Sequence, residues 1–112
     1  MIPTLTPGWA WMLLLVAGLL EVVWTGALKA SNGFTNPAYT AVSVLTSIVS
    51  FALLGITLKS LPVGTAYAVW TGVGAVGAAV LGMWLFGEAA TTGRLLCIAL
   101  IVVGIAGLKL FP

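Results

Sequence analysis

The sequence predicts an all-α membrane protein with four transmembrane helices per chain. Three observations predict it. Charged residues make up only 5% of the 112 positions, against roughly 25% in an ordinary soluble domain. Hydrophobic residues make up 62%, with 14 glycines besides, and no water-soluble fold of this length has interior enough to hide that surface. The sparse charges also divide the chain into four continuous apolar runs, each close to the roughly 20 residues a helix needs to cross a bilayer. A membrane barrel would instead need many alternating segments of about 10 residues, and continuous runs mean helices. The connections left over are short, so one four-helix transmembrane domain over residues 1–112 is expected, with no soluble catalytic module.

The first span covers about 9–29 and is interrupted only by Glu21. Residues 1–8 carry no positive charge and no clear small-residue cleavage site follows, so this run reads as a retained span rather than a secretory leader. Ala30-Ser-Asn-Gly-Phe-Thr-Asn36 is a turn cluster whose Asn32-Gly33 pair favours positive φ. Pro37 suits the first position of the second helix, with Asn36 or Thr35 as its cap, and that span continues to about 58. Lys59-Ser-Leu-Pro-Val-Gly64 leads into a third span over about 63–86. Gly87-Glu-Ala-Ala-Thr-Thr-Gly93 closes it, and the last span covers about 93–110. Arg94 and Lys109, at its two ends, have stems long enough to snorkel to the interface.

The inventory excludes several chemistries. There is no histidine, and Cys97 is the single cysteine, which leaves no internal disulfide, metal site or Cys/His nucleophile to build. No cofactor is expected. Four basic residues against two acidic ones are too sparse for a nucleic-acid surface.

The basic residues also bear on orientation. An even number of spans places Lys59 and Lys109 on one side and Lys29 and Arg94 on the other. The positive-inside rule then predicts no preferred orientation. Either the even split is chance, or the chain inserts both ways and pairs with an inverted copy of itself.

Glu21 is the main chemical signal. It lies about 12 residues beyond Trp9, hence roughly 18 Å along a helix, near the middle of a hydrocarbon core about 30 Å thick. A carboxylate at that depth marks an ion, proton or substrate pathway, unless it is a neutral structural group bonded between helices. Gly18, Trp24 and Thr25 share its helix face, a stripe that suits a cation pocket. Trp24 could alternatively pack or face lipid, although its depth argues against an interfacial belt.

Tyr67, Trp70 and Thr71 form a comparable face in the third span. Buried phenol and indole groups need hydrogen-bond partners, so both aromatics are predicted to face the protein interior, with Glu21 as the acceptor. Ser50 is a weaker candidate, because serine also serves as a small packing residue. Trp9, Trp11 and Trp84 read as interfacial anchors, and Glu88 as a solvated loop residue. Gly72-Val-Gly74-Ala-Val-Gly77 fails as a dinucleotide fingerprint, since it sits inside an apolar helix with no preceding strand. Its glycines instead allow a kink or close helix approach, as do Gly104 and Gly107 in the last span.

Glu21-Val-Val-Trp24, Lys29-Ala-Ser-Asn-Gly-Phe34 and Leu61-Pro-Val-Gly-Thr-Ala-Tyr67-Ala-Val-Trp70 together resemble the small multidrug resistance family of four-helix transporters. Trp70-Thr-Gly-Val-Gly-Ala-Val-Gly77 most resembles its guanidinium-exporter branch. The likeness extends from about Trp11 to Leu110. It implies an antiparallel homodimer in the cell's inner membrane that exchanges protons for a small organic cation. The family's central glutamate matches Glu21, its binding aromatics match Trp24, Tyr67 and Trp70, and its hydroxyl partner matches Ser50. The hinge of its third helix matches Gly72 and Gly74. Its fourth-helix dimer contact falls at Cys97 and Gly104, where some relatives carry two glycines.

The reading is therefore a proton-coupled antiporter exporting guanidinium-like cations. The alternatives are a broad quaternary-ammonium exporter of the same fold and a non-transporting membrane subunit.

Overall fold

A computed structural model describes residues 8–111. The reading of residues 1–7 as free of a leader falls outside the described residues. Four helices follow in order: α1 (Gly8–Ala30), α2 (Pro37–Thr57), α3 (Val63–Leu85) and α4 (Thr92–Leu110). All four are long and apolar enough to cross a membrane, and the described residues contain no strand. The chain is an all-α, multi-pass membrane protein.

The helix ends follow from local chemistry. Asn36 caps α2: its side-chain oxygen accepts from the amides of Ala38 and Tyr39 at 3.1 and 3.3 Å. Pro37 then starts the helix, where its missing N–H costs nothing. The preceding turn has three consecutive positive φ values, 49° at Asn32, 68° at Gly33 and 68° at Phe34. Phe34 has no glycine's freedom there, and its amide is held by donation to Ser31 Oγ at 3.1 Å. Thr91 caps α4 by accepting from the Arg94 amide at 3.2 Å.

Small residues set the helix packing. A Cβ added at Gly18 would stand 2.7 Å from Val73 Cβ, and one at Gly26 would stand 2.6 Å from Leu81 Cδ2. In the opposite sense, Gly74 receives Glu21 and Gly77 receives Val22. The pairs ascend together along both helices, so α1 and α3 run parallel and interlock. Hydroxyls tie α2 across α1: Ser43 Oγ donates to Trp24 O at 2.9 Å and Ser50 Oγ to Ala17 O at 2.7 Å. Those pairs run in opposite order, as an antiparallel neighbour requires. The chain thus forms a slab of 47 × 34 × 17 Å. One apolar cluster lies where α1 begins, α2 ends and α3 begins, built from Trp11, Leu14, Leu54, Leu61, Ala66 and Val69.

The fourth helix is set apart. It has no buried residue, and among the described helices it packs its backbone only on α3. Cys97 and Gly104 both lie exposed on it, and a Cβ added at Gly104 or Gly107 would meet nothing within 4 Å. The close packing expected of these glycines is therefore not made within the chain.

Two expectations are corrected. Trp11 is not an interfacial anchor: it is 5% exposed, because it shares an inward helix face with Leu14 and Gly18. Lys109 Nζ covers its ring at 4.7 Å, which ties the end of α4 to the start of α1. Trp84, by contrast, is 78% exposed. Nor is Glu88 merely solvated. Gly87, at φ 66°, turns the chain back over the end of α3. The Glu88 carboxylate then lies over bare Gly82 and pairs with Arg94 at 2.5 Å.

Candidate functional site

Helix α1 carries Glu21 and Trp24 on one face, three residues apart. Trp24 Nε1 donates to Glu21 Oε1 at 3.3 Å, so the indole orients the carboxylate while leaving acceptor capacity on both oxygens. Thr25 turns its hydroxyl back to the Glu21 carbonyl at 2.5 Å and contributes to the helix rather than to the acid. The other side of Glu21 rests on α3. A Cβ at Gly74 would come within 2.7 Å of Glu21 Oε2 and 2.8 Å of Glu21 Cβ, so a larger residue there would displace the carboxylate. Gly72, two positions earlier, faces α4 instead, with Ile105 Cδ1 2.9 Å from its added Cβ. The helix runs unbroken through both glycines.

Trp70 approaches from α3. Its Nε1 donates to Ser50 Oγ at 2.9 Å, and Ser50, fully buried, donates in turn to Ala17 O at 2.7 Å. The expectation that Trp70 would donate to Glu21 is thus corrected. Trp70 is satisfied by Ser50 in the packed interior, and Glu21 takes its indole from its own helix. Ser50 is also a support behind Trp70, rather than part of the cavity wall. Tyr67 stands beside Trp70 with ring centres 5.7 Å apart and planes inclined at 48°. It is 56% exposed, not turned into the interior of the single chain.

Glu21, Trp24 and Trp70 meet at one cavity of about 350 Å³, completed by Ser47, Ile48 and Phe51 of α2. This volume is about tenfold the roughly 30 Å³ share of one water, which accommodates a small organic cation together with part of its hydration. Among the described residues Glu21 is the only ionisable group in the lining, and the aromatic rings present electron-rich faces to a cation. A second cavity, of about 340 Å³, lies between Thr25, Lys29, Glu88 and Arg94. Its two cations outnumber its one carboxylate, which repels a positive ligand.

Sequence reasoning missed Ser47, Ile48 and Phe51. Their signal was present: Ser43, Ser47 and Ser50 form a hydroxyl stripe at helical spacing, and Phe51 lies four residues after Ser47. With α2 read only as an apolar run, that stripe was reduced to Ser50 alone.

A family model described as Small Multidrug Resistance protein matches residues 9–101. The chain is similar to the guanidinium exporter of Escherichia coli (strain K12), 57% identical over 101 residues, with 90% of this chain and 96% of that protein covered. It is likewise similar to the guanidinium exporters of Citrobacter freundii and Salmonella typhimurium (strain LT2). These are 55% and 54% identical over 101 residues at the same coverage of each chain.

Proposed function

The chain belongs to the Small Multidrug Resistance family, and from that premise we propose that it exports guanidinium or similar small guanidinyl cations in exchange for protons. It is a multi-pass membrane transporter rather than an enzyme, which in bacteria places it in the inner membrane. The observation that carries the substrate reading is the Glu21 carboxylate at the wall of an aromatic-lined cavity. A planar guanidinium pairs bidentately with a carboxylate and lays its flat face against an indole. Trp24 and Trp70 are held for that role by their own bonds to Glu21 and Ser50. Proton coupling follows from competition. The same carboxylate holds either a proton or the cation, so each displaces the other.

The working unit in this reading is a homodimer with an inverted partner. The balance of Lys59 and Lys109 against Lys29 and Arg94 supports insertion in both senses. The exposed face of α4, with Cys97 and Gly104, offers the contact surface. Two Glu21 side chains then serve one chamber, and their protonation is coupled. Gly72 and Gly74 supply the compliance in α3 that reorientation needs.

The test is exchange in proteoliposomes with guanidinium, guanylurea and tetrapropylammonium, with and without a pH gradient. Guanidinium and guanylurea should move against the proton gradient, and Glu21→Gln should abolish exchange while the protein stays folded. Proton-coupled guanidinium transport retained in that variant would overturn the mechanism. Preference for tetrapropylammonium would favour the broad quaternary-ammonium exporter instead.

A further inference from the structure

The cavity at Glu21 has an imbalance of hydrogen-bonding groups. Guanidinium carries N–H donors on every nitrogen and has no acceptor, so each donor not facing Glu21 needs an acceptor in the lining or in retained water, and only a protein acceptor fixes its orientation. The indoles of Trp24 and Trp70 only donate, and their protons are already committed to Glu21 and Ser50. Ser50 is fully buried and takes its two bonds away from the cavity. Ile48 and Phe51 are apolar. Among the described residues that leaves one uncharged side-chain acceptor in the lining, the hydroxyl of Ser47. It is half-buried and spends its proton on Val44 O at 2.8 Å, so its oxygen lone pairs stay free to accept.

Building on the guanidinyl reading above, we propose that Ser47 is a specificity-determining residue that contacts the substrate. Its oxygen accepts a hydrogen bond from a guanidinyl N–H while Glu21 holds the charge. Both groups line the same cavity from different helices, so a cation bridging them is oriented as well as held. A quaternary ammonium gains nothing from Ser47. The residue therefore favours cations with N–H donors over those without, a distinction that Glu21 alone does not make.

The test compares Ser47→Thr, which keeps the hydroxyl, with Ser47→Val, which has the same shape without it. Ser47→Ala serves in place of Val if that variant fails to fold. Binding to the purified full-length protein is titrated calorimetrically with guanidinium and with tetramethylammonium. The hydroxyl-free variant should bind guanidinium about tenfold more weakly than wild type, the scale of one hydrogen bond to a charged group, and the Thr variant close to wild type. Tetramethylammonium binding should not distinguish Thr from Val. Equal guanidinium affinity in the Thr and Val variants would overturn the assignment, as would equal losses for both cations. Those results leave the guanidinyl reading standing. Wild-type protein that binds no guanidinium would instead overturn that reading, and the role of Ser47 with it.

Discussion

Glu21 rests directly on the bare backbone of Gly74, close enough that an added methyl group would stand 2.7 Å from its Oε2 and 2.8 Å from its Cβ. The first clash involves the free end of a side chain, which can swing away. The second involves the root of the side chain, which moves only if α1 moves. Gly74→Ala should therefore push the carboxylate off its seat and separate α1 from α3. The expected cost is about 1–3 kcal/mol of stability, as for other overpacked sites, with a loss of guanidinium affinity of about tenfold or more. Gly72→Ala is the comparison for binding alone, since Gly72 shares the proposed hinge role in transport. It meets the flexible end of Ile105 on α4 and should leave binding nearly unchanged. Binding titrations of the two variants check this, and equal effects would show that the seat at Gly74 has no special role.

Ser50 acts at one remove from the cavity. Replacing it with alanine leaves Trp70 Nε1 without its acceptor and Ala17 O with only its helical N–H donor. A single hydrogen bond between membrane helices contributes about 1–2 kcal/mol at most, so Ser50→Ala should still fold. Trp70 should then lose its fixed orientation. Its fluorescence anisotropy, read in a variant whose other tryptophans are replaced, should fall, and substrate affinity with it. Unchanged anisotropy would show that the packing around Trp70 alone fixes its ring.

Much of this arrangement was legible in the sequence. The four spans follow from charge spacing and turn residues, and the helix bounds agree with that reading to within two residues. Glu21 with Trp24 was visible as an i, i+3 pair, because both lie on one helix and their contact is local. Partners on different helices were less legible. The bond from Trp70 to Ser50 depends on the rotation of α2 against α3, which periodicity in a uniformly apolar span leaves undefined. Trp11 was misread for the same reason: a tryptophan near a span end fits an interfacial belt equally well, and only the inward face it shares with Leu14 decides. The ion pair of Glu88 with Arg94 needed the reversal at Gly87, a backbone event with little trace in composition.

Substrate affinity should depend on pH in a definite direction. In the proposed exchange a proton and the cation compete for the Glu21 carboxylate, so guanidinium should bind when Glu21 is ionised and be displaced as pH falls through its titration. Binding should release protons, and the number released should depend on the starting pH. Calorimetry in buffers of different ionisation enthalpy measures that release. An affinity flat across the titration of Glu21 would separate proton from substrate sites and break the competition scheme.

Two basic residues at each membrane face, Lys59 and Lys109 against Lys29 and Arg94, are expected to give the inserting chain no preferred sense. Opposite copies can then form one dimer about an axis in the membrane plane, as inverted repeats do within larger transporters. The two outward and inward conformations of such a dimer are equivalent on exchanging the roles of its chains, which provides alternating access from one gene product. Two added lysines in the connection between α2 and α3 should bias insertion, and that variant alone should lose transport. A second variant with two lysines added between α3 and α4 should be biased the other way. Co-expression of the two should restore exchange. Accessibility labelling of a cysteine placed at Phe111, with Cys97 replaced by alanine, tests the premise directly. Label reaching the unbiased protein from both faces supports the inverted pair, and complete labelling from one face alone would exclude it.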